Sequence, residues 1–397
     1  MAGIYLHTPF CNKKCIYCGF YSVVSKRLRD KYIPALEREL LERRNFFDGL
    51  YPSERIIRTL YIGGVPPSVV PVGVLEKAAK LLKENFRFAD GAFETQNPDV
   101  FEFTVEVNPD DITEDYAQSL RKLGINRISM GVQSFQDSHL QWMGRRHDAS
   151  QAIKAFRILR DEGFTNISLD LIFGFPLMTE RDWEDNLRTV AELAPEHISA
   201  YQLGIDQDTP LERLAASGKF SLLPEEVCAA QYKTLQKRLS DAGYIQYEVS
   251  NFCLPSLSGQ VTADFRSRHN SSYWKRIPYL GLGPGAHSFI GRHREWNFPD
   301  VDSYCNLSTF EIREGENLSS QDVFNEILML ALRTADGVSL KSLRECDPRS
   351  AIFISQMLPA LQGFQRQGLI QMTAAGTIKI PSEKFFISDG IIRDLFV

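Results

Sequence analysis

Six short runs of strand-forming residues, each followed by a stretch with helical spacing, limit what this chain can fold into. They are Gly3 to His7, Thr59 to Ile62, Phe101 to Val107, Arg127 to Val132, Ser168 to Phe173 and His197 to Leu203. Their starts leave gaps of 56, 42, 26, 41 and 29 residues, room for right-handed crossovers between parallel neighbours. Between them, Tyr32, Ile33, Leu36, Leu40 and Leu41 recur at helical spacing, Thr113 opens a helix that ends at Gly124, and Thr179 caps another that runs to Leu193. The alternation predicts an α/β fold, a partial parallel (β/α)6 TIM-like barrel over residues 1–243. Strand C-termini share one face of such a barrel, so Gly63, Gly64, Glu106, Gln133, Asp170 and Gly204 are expected at one mouth.

Residues 244–317 lack sustained periodicity and read as a barrel extension and linker. Residues 318–397 read as three helices and a β hairpin turning at Ala374-Ala375-Gly376, a small winged-helix-like α+β domain. That fold often binds DNA, but the segment carries eight Lys and Arg against eight Asp and Glu, and the whole chain 45 against 50, a net −5. The balance argues against a nucleic-acid partner and for a structural or docking role. The longest apolar, charge-free window, Ile62 to Leu75, falls short of the roughly 20 residues a bilayer helix needs. No export signal is read at the start, so a cytoplasmic protein without stable membrane insertion is expected.

Three of the seven cysteines crowd one loop after the first strand run, Cys11-Asn-Lys-Lys-Cys15-Ile-Tyr-Cys18. In a reducing compartment such a cluster reads as metal chemistry rather than a disulfide framework. Three thiolates can cap three irons of a cubane 4Fe-4S cluster and leave the fourth iron open. Lys13 and Lys14 would offset thiolate charge, and Phe10, Tyr17 and Phe20 would shield the cluster. The alternative is a structural zinc ion with His7 as fourth ligand.

The cysteine loop resembles that of the radical S-adenosylmethionine (SAM) superfamily. The string Tyr5-Leu-His7-Thr-Pro9-Phe10-Cys11 is similar to that of its oxygen-independent coproporphyrinogen III oxidase branch. The likeness continues through Gly63-Gly64, Glu106 in VEVNPDD, Gly131-Val-Gln133-Ser with Arg145 twelve residues later, Asp170 in DLIFGFP, and Gly204. It implies that the free iron is chelated by SAM, whose contacts come from Tyr5, Tyr17, Gly63, Gly64, Glu106, Gln133, Arg145, Asp170 and Gly204.

Two departures stand out, and the second separates subfamilies. Where the family reads Gly-Gly-Gly-Thr-Pro-Ser, this chain has Gly63-Gly64-Val65-Pro66-Pro67-Ser68, losing a hydroxyl and an amide N–H at Pro66. Where the oxidases carry a further cysteine two residues after the third, Phe20 stands. The chain therefore resembles the HemW-type heme chaperones, which bind heme and deliver it to client heme proteins, respiratory or other. His269-Asn270-Ser-Ser-Tyr273-Trp274 matches a motif of that group, implying His269 as a heme ligand. His287 and His293, in GLGPGAHSFIGRH, are further candidates, though surface histidines on a glycine-rich turn suit them better; His139, His147 and His197 are given no role. The alternatives are the oxidase itself and a cluster protein that has lost SAM binding.

Overall fold

The structure is a computed structural model that describes residues 1–64, 66–255, 264–307 and 311–397, with the Lys26 side chain left aside. Val65, one of the two departures in the glycine loop, lies outside the described residues.

Strands β1 (Ala2–Thr8), β2 (Ile57–Gly64), β3 (Glu102–Val107), β4 (Arg127–Gln133), β5 (Ile167–Phe173) and β6 (His197–Gln202) lie side by side in chain order, all parallel. The crossovers carry α1 (Lys26–Arg43), α2 (Val72–Asn85), α3 (Glu114–Lys122), α4 (Asp137–Met143), α5 (Ala149–Asp161) and α6 (Glu180–Leu193), and α7 (Pro210–Ala216) and α8 (Glu225–Asp241) follow β6. These strands are buried on both faces along most of their length, as a sheet covered by helices requires.

The helix ends follow their caps. Thr113 accepts from the Tyr116 amide, and Thr179 and Asp182 form a capping box. Gly124 sits at φ +86, and a Cβ there would fall 2.3 Å from the Phe93 carbonyl oxygen, so only glycine passes. In α1, Tyr32, Leu36 and Leu40 are buried as their spacing predicts, but Leu41 is exposed. Glu39 takes the inward place instead. Its carboxylate accepts from Tyr304 Oη (2.7 Å), Asn297 Nδ2 (2.7 Å) and the Gly283 amide (2.8 Å), which ties α1 to the segment after residue 244.

That segment is more regular than its sequence suggests. It supplies β7 (Ile245–Gln246), β8 (Asn251–Cys253), α9 (Arg268–Trp274), β9 (Tyr279–Leu282), β10 (His287–Ile290), β11 (His293–Asn297), α10 (Val301–Asn306) and β12 (Arg313–Asn317). The strands extend the sheet at both edges, in the order β12-β11-β10-β9-β1-β2-β3-β4-β5-β6-β8-β7. β9 runs parallel to β1, Gly3 to Leu6 pairing with Tyr279 to Leu282, so seven parallel strands stand together rather than six. The remaining pairings of the added strands are antiparallel.

The last unit has α11 (Ser320–Leu332), β13 (Val338–Ser339), α12 (Leu340–Glu345), α13 (Ser350–Arg366), β14 (Gln371–Met372) and β15 (Thr377–Lys379), with the three strands in one antiparallel sheet. This is a winged-helix order, closed by α14 (Ser388–Arg393), which packs on α11. Among the described residues no helix is long and apolar enough to cross a membrane.

Candidate functional site

A cavity of about 460 Å³ opens at the C-terminal ends of β1 to β6. Of the residues expected there, Cys11, Cys15, Tyr17, Cys18, Gly64, Glu106, Gln133, Arg145, Asp170 and Gly204 line it together. The parallel register brings them to one level: Thr8 pairs with Gly64, Glu106 with Ser129, Gly131 with Asp170, and Asp170 with Ser199.

The cysteine loop is pinned by backbone bonds at both ends and in the middle. Val23 donates to Pro9 and accepts from Cys11 (2.8 and 3.0 Å), while Ile16 donates to Met143 and accepts from Leu211 (3.1 and 2.9 Å). The Cys18 amide donates to Cys15 (3.3 Å), closing a turn between them, and Cys11, Cys15 and Cys18 all line the same cavity. Cys11 Sγ donates to Lys13 O at 2.8 Å, and burial pushes the Cys11 and Cys18 thiols up. Phe10 does not shield this cavity: it is fully buried edge-on against Tyr32.

Among the described residues no three His, Cys, Asp or Glu side chains converge as a single metal ion would need. His7 also has both ring nitrogens engaged, by Tyr5 Oη (3.0 Å) and Tyr21 O (3.2 Å), which removes it as a zinc ligand. A cubane that takes one thiolate at each of three corners needs no such convergence, and the donor set fits it.

Glu106 accepts from Tyr61 Oη (2.8 Å) and from the Gly64 amide (3.0 Å), which fixes its carboxylate on the cavity wall. Gly64 is at φ +110. Gly63 does not line the cavity; it is a spacer, since a Cβ would fall 2.7 Å from the Tyr61 ring and 2.9 Å from Glu106 Oε1. Burial pushes the Glu106 carboxyl up to about 7, with the Asp170 charge adding to the shift and the Tyr61 bond opposing it. Asp170 accepts from Ser129 Oγ (3.2 Å), and burial raises it to about 6.

Gln133 sits at φ +68, an unfavourable conformation for a residue with a side chain, at an irregularity in the β4–β5 pairing. Arg145 is locked by Asn108 Oδ1 (2.7 Å) and Gly131 O (2.5 Å), with Nη1 3.7 Å from Cys15 Sγ. With both Nη2 protons so engaged, Nη1 is the group left to meet a carboxylate there in a charge-assisted bond. Nothing stands within 4 Å of where a Gly204 Cβ would be, and its backbone lies outside the left-handed region, so neither crowding nor strain requires glycine at this place on the wall.

Besides Gly63 and Phe10, two further expectations are corrected. Tyr5 is absent from this cavity and faces a second one, of about 570 Å³, on the β9–β11 side. His269 does not stand as an open ligand. It is 1 % exposed, and it stacks on Tyr61 with ring centres 5.0 Å apart. Its Nδ1 is bonded to Thr59 Oγ1 (2.9 Å) and its Nε2 to Tyr273 Oη (2.7 Å). The motif is a partition: Asn270 lines the first cavity and Tyr273 the second.

The sequence reading missed Arg127. It is 1 % exposed, lines the first cavity, and its Nε has no hydrogen-bond partner among the described residues. Its charge lowers both Glu106 and Asp170. A cation opening a strand whose next three residues are buried was the available signal. Asn108, Ser199 and Tyr201 complete the wall.

The family model described as the Radical SAM superfamily matches residues 5–190. The heme chaperone HemW of Bacillus subtilis is 32 % identical over 376 residues, 93 % of each chain. HemW of Synechocystis is 33 % identical over 353 residues, 85 % of this chain and 79 % of that one. The solved coproporphyrinogen III oxidase of Escherichia coli superposes with a TM-score of 0.80 at 23 % identity, over 100 % of this chain and 90 % of that one, a likeness of fold. The chain belongs to the radical SAM superfamily, in its HemW-type branch, and that membership implies a 4Fe-4S cluster and SAM.

Proposed function

We propose that this protein is a heme chaperone on a radical SAM scaffold. It binds a 4Fe-4S cluster through Cys11, Cys15 and Cys18, takes SAM at the open iron, and binds heme that it passes to client heme proteins in the cytoplasm. The bound cluster would supply an electron source and a chelating iron for the amino and carboxylate groups of SAM. Arg145 would pair with that carboxylate, Glu106 and Asp170 would accept from ribose hydroxyls, and the backbone at Gly64 and Gly204 would allow close approach. In this reading residues 1–243 hold cluster and SAM, 244–317 extend the barrel, and 318–397 are the docking unit.

The observation that carries the reading is the identity of 32 % across 93 % of a curated heme chaperone. Phe20, at the place of the oxidases' further cysteine, agrees with it. The test is anaerobic titration of the cluster-reconstituted protein with heme, followed by mixing with an apo heme protein. Near-stoichiometric uptake and transfer are expected. No uptake, or conversion of coproporphyrinogen III with release of 5′-deoxyadenosine, would overturn the proposal.

A further inference from the structure

We infer that the second cavity, between the cysteine loop, strands β9 to β11 and helix α11, is the heme site, with His287 as axial ligand to iron and Arg276 and Arg294 receiving the propionates. The inference rests on the heme-chaperone reading and says where heme sits.

The cavity holds about 570 Å³, within the usual span of cofactor sites of roughly 300–1,000 Å³. Tyr5, Tyr21, Tyr273, Tyr279, Phe289 and Trp296 give it flat apolar walls, which suit a macrocycle.

His287 stands on β10 at this wall, its ring stacked on Trp296 with centres 5.8 Å apart and planes 26° apart. It is exposed, and neither ring nitrogen has a hydrogen-bond partner among the described residues. The other six histidines are all engaged: His7 and His269 as described, His139 by Ser134 (3.0 Å), His147 by Val132 O (3.1 Å), His197 by Ser168 and Tyr247 (both 2.8 Å), and His293 by Asn317 (3.0 Å).

The charge pattern fits the rest of the ligand. Arg276 and Arg294 lie over the Phe289 ring, 4.7 and 6.0 Å from its centre, and both contact the single Glu326 carboxylate on α11. Arg294 also reaches Glu316 (3.6 Å), which is half exposed and so strongly screened. Two guanidiniums around one buried carboxylate leave positive charge facing the cavity, and burial together with Arg294 lowers Arg276 to about 10. Arg276 is also held at φ +53, an unfavourable backbone conformation of the kind that clusters at ligand sites. An anionic edge docked here relieves that charge. Phe20 lines both cavities, so heme would lie against the cysteine loop.

The experiment compares wild type with His287→Ala, and with His287→Gln as a second variant that retains a side chain over Trp296. Each is titrated with ferric heme and with iron-free protoporphyrin IX. Both variants should move the Soret band off that of a histidine-ligated iron and weaken heme binding by about tenfold or more, leaving iron-free porphyrin affinity within about twofold of wild type. The triple change Arg276→Met, Arg294→Met, Glu326→Gln should weaken both ligands. An unaltered Soret band and affinity in both His287 variants, or an equal loss for heme and iron-free porphyrin, overturns the site while the chaperone reading stands. Wild type that takes up no heme overturns both.

Discussion

Thr59 on β2 and His269 on α9, 210 residues apart, share a buried hydrogen bond of 2.9 Å. The imidazole is thereby clamped between a strand of the barrel and Tyr273 of its own helix. This fastens the partition between the two cavities, and it makes the histidine a structural element.

His269→Ala removes partners from the buried Thr59 hydroxyl and the half-buried Tyr273 hydroxyl and leaves a void under Tyr61. The expected loss is about 3 kcal/mol of unfolding free energy by urea titration. The heme Soret band should stay where it is in wild type. A variant of unchanged stability would refute the clamp.

The raised Glu106 carboxyl makes the unliganded protein pH-sensitive. A carboxyl at about 7 in the folded state, against 4.5 ordinarily, gives stability that is full below about pH 4.5 and lost as pH rises through 7. Asp170, raised to about 6, acts in the same sense, and Arg127 and the Tyr61 hydroxyl, which face Glu106, oppose it. Glu248, also raised to about 7, acts with Glu106, while the buried His7, His147, His197 and His269, all lowered, act in the opposite sense, so the readout is a difference: the unfolding free energy of wild type minus that of Glu106→Gln should fall as pH rises from about 5 to 7. An identical slope in the variant would contradict the assignment.

Serine at Cys11, Cys15 or Cys18 should each abolish retention of the roughly four irons and matching sulfide that reconstitution delivers. Cys346→Ser, on the far unit, should retain them in full. Iron and sulfide assays after desalting decide this, and zinc in place of iron in wild type would contradict the cluster.

Arg145→Leu should weaken SAM binding by about 10- to 100-fold by calorimetry, the worth of a charge-assisted pair. Its iron content should be close to that of wild type. Unchanged SAM affinity would remove Arg145 from the site.

Pro66 lines the first cavity and has neither hydroxyl nor amide hydrogen. Pro66→Thr restores both, and SAM affinity should rise by about fivefold, the equivalent of one neutral hydrogen bond. No gain would mean that the altered glycine loop does not limit binding.

The parts legible in the sequence were those written locally. The runs that became β1 to β6 are dense in β-formers, Thr113 and Thr179 sit one residue before their helices, and Cys11, Cys15 and Cys18 lie within eight positions. What could not be read depends on contacts across the chain. Tyr279 to Leu282 is broken by Gly281 and runs straight into Gly283-Pro284-Gly285, so it reads as a turn, and nothing near it tells that it pairs with β1. Tyr5 alternates on its strand like any half-buried residue, so only the fold shows which cavity it meets. His269 and His287 are each one histidine among aromatics in the sequence; their difference is that one ring is hydrogen-bonded at both ends and the other at neither.

Glu326, Met329 and Leu330, all on α11, close one side of the second cavity. The last eighty residues are therefore no detachable appendage. With heme in that chamber as proposed and a recipient docked on the terminal module, a tilt of α11 would be felt directly by the cargo.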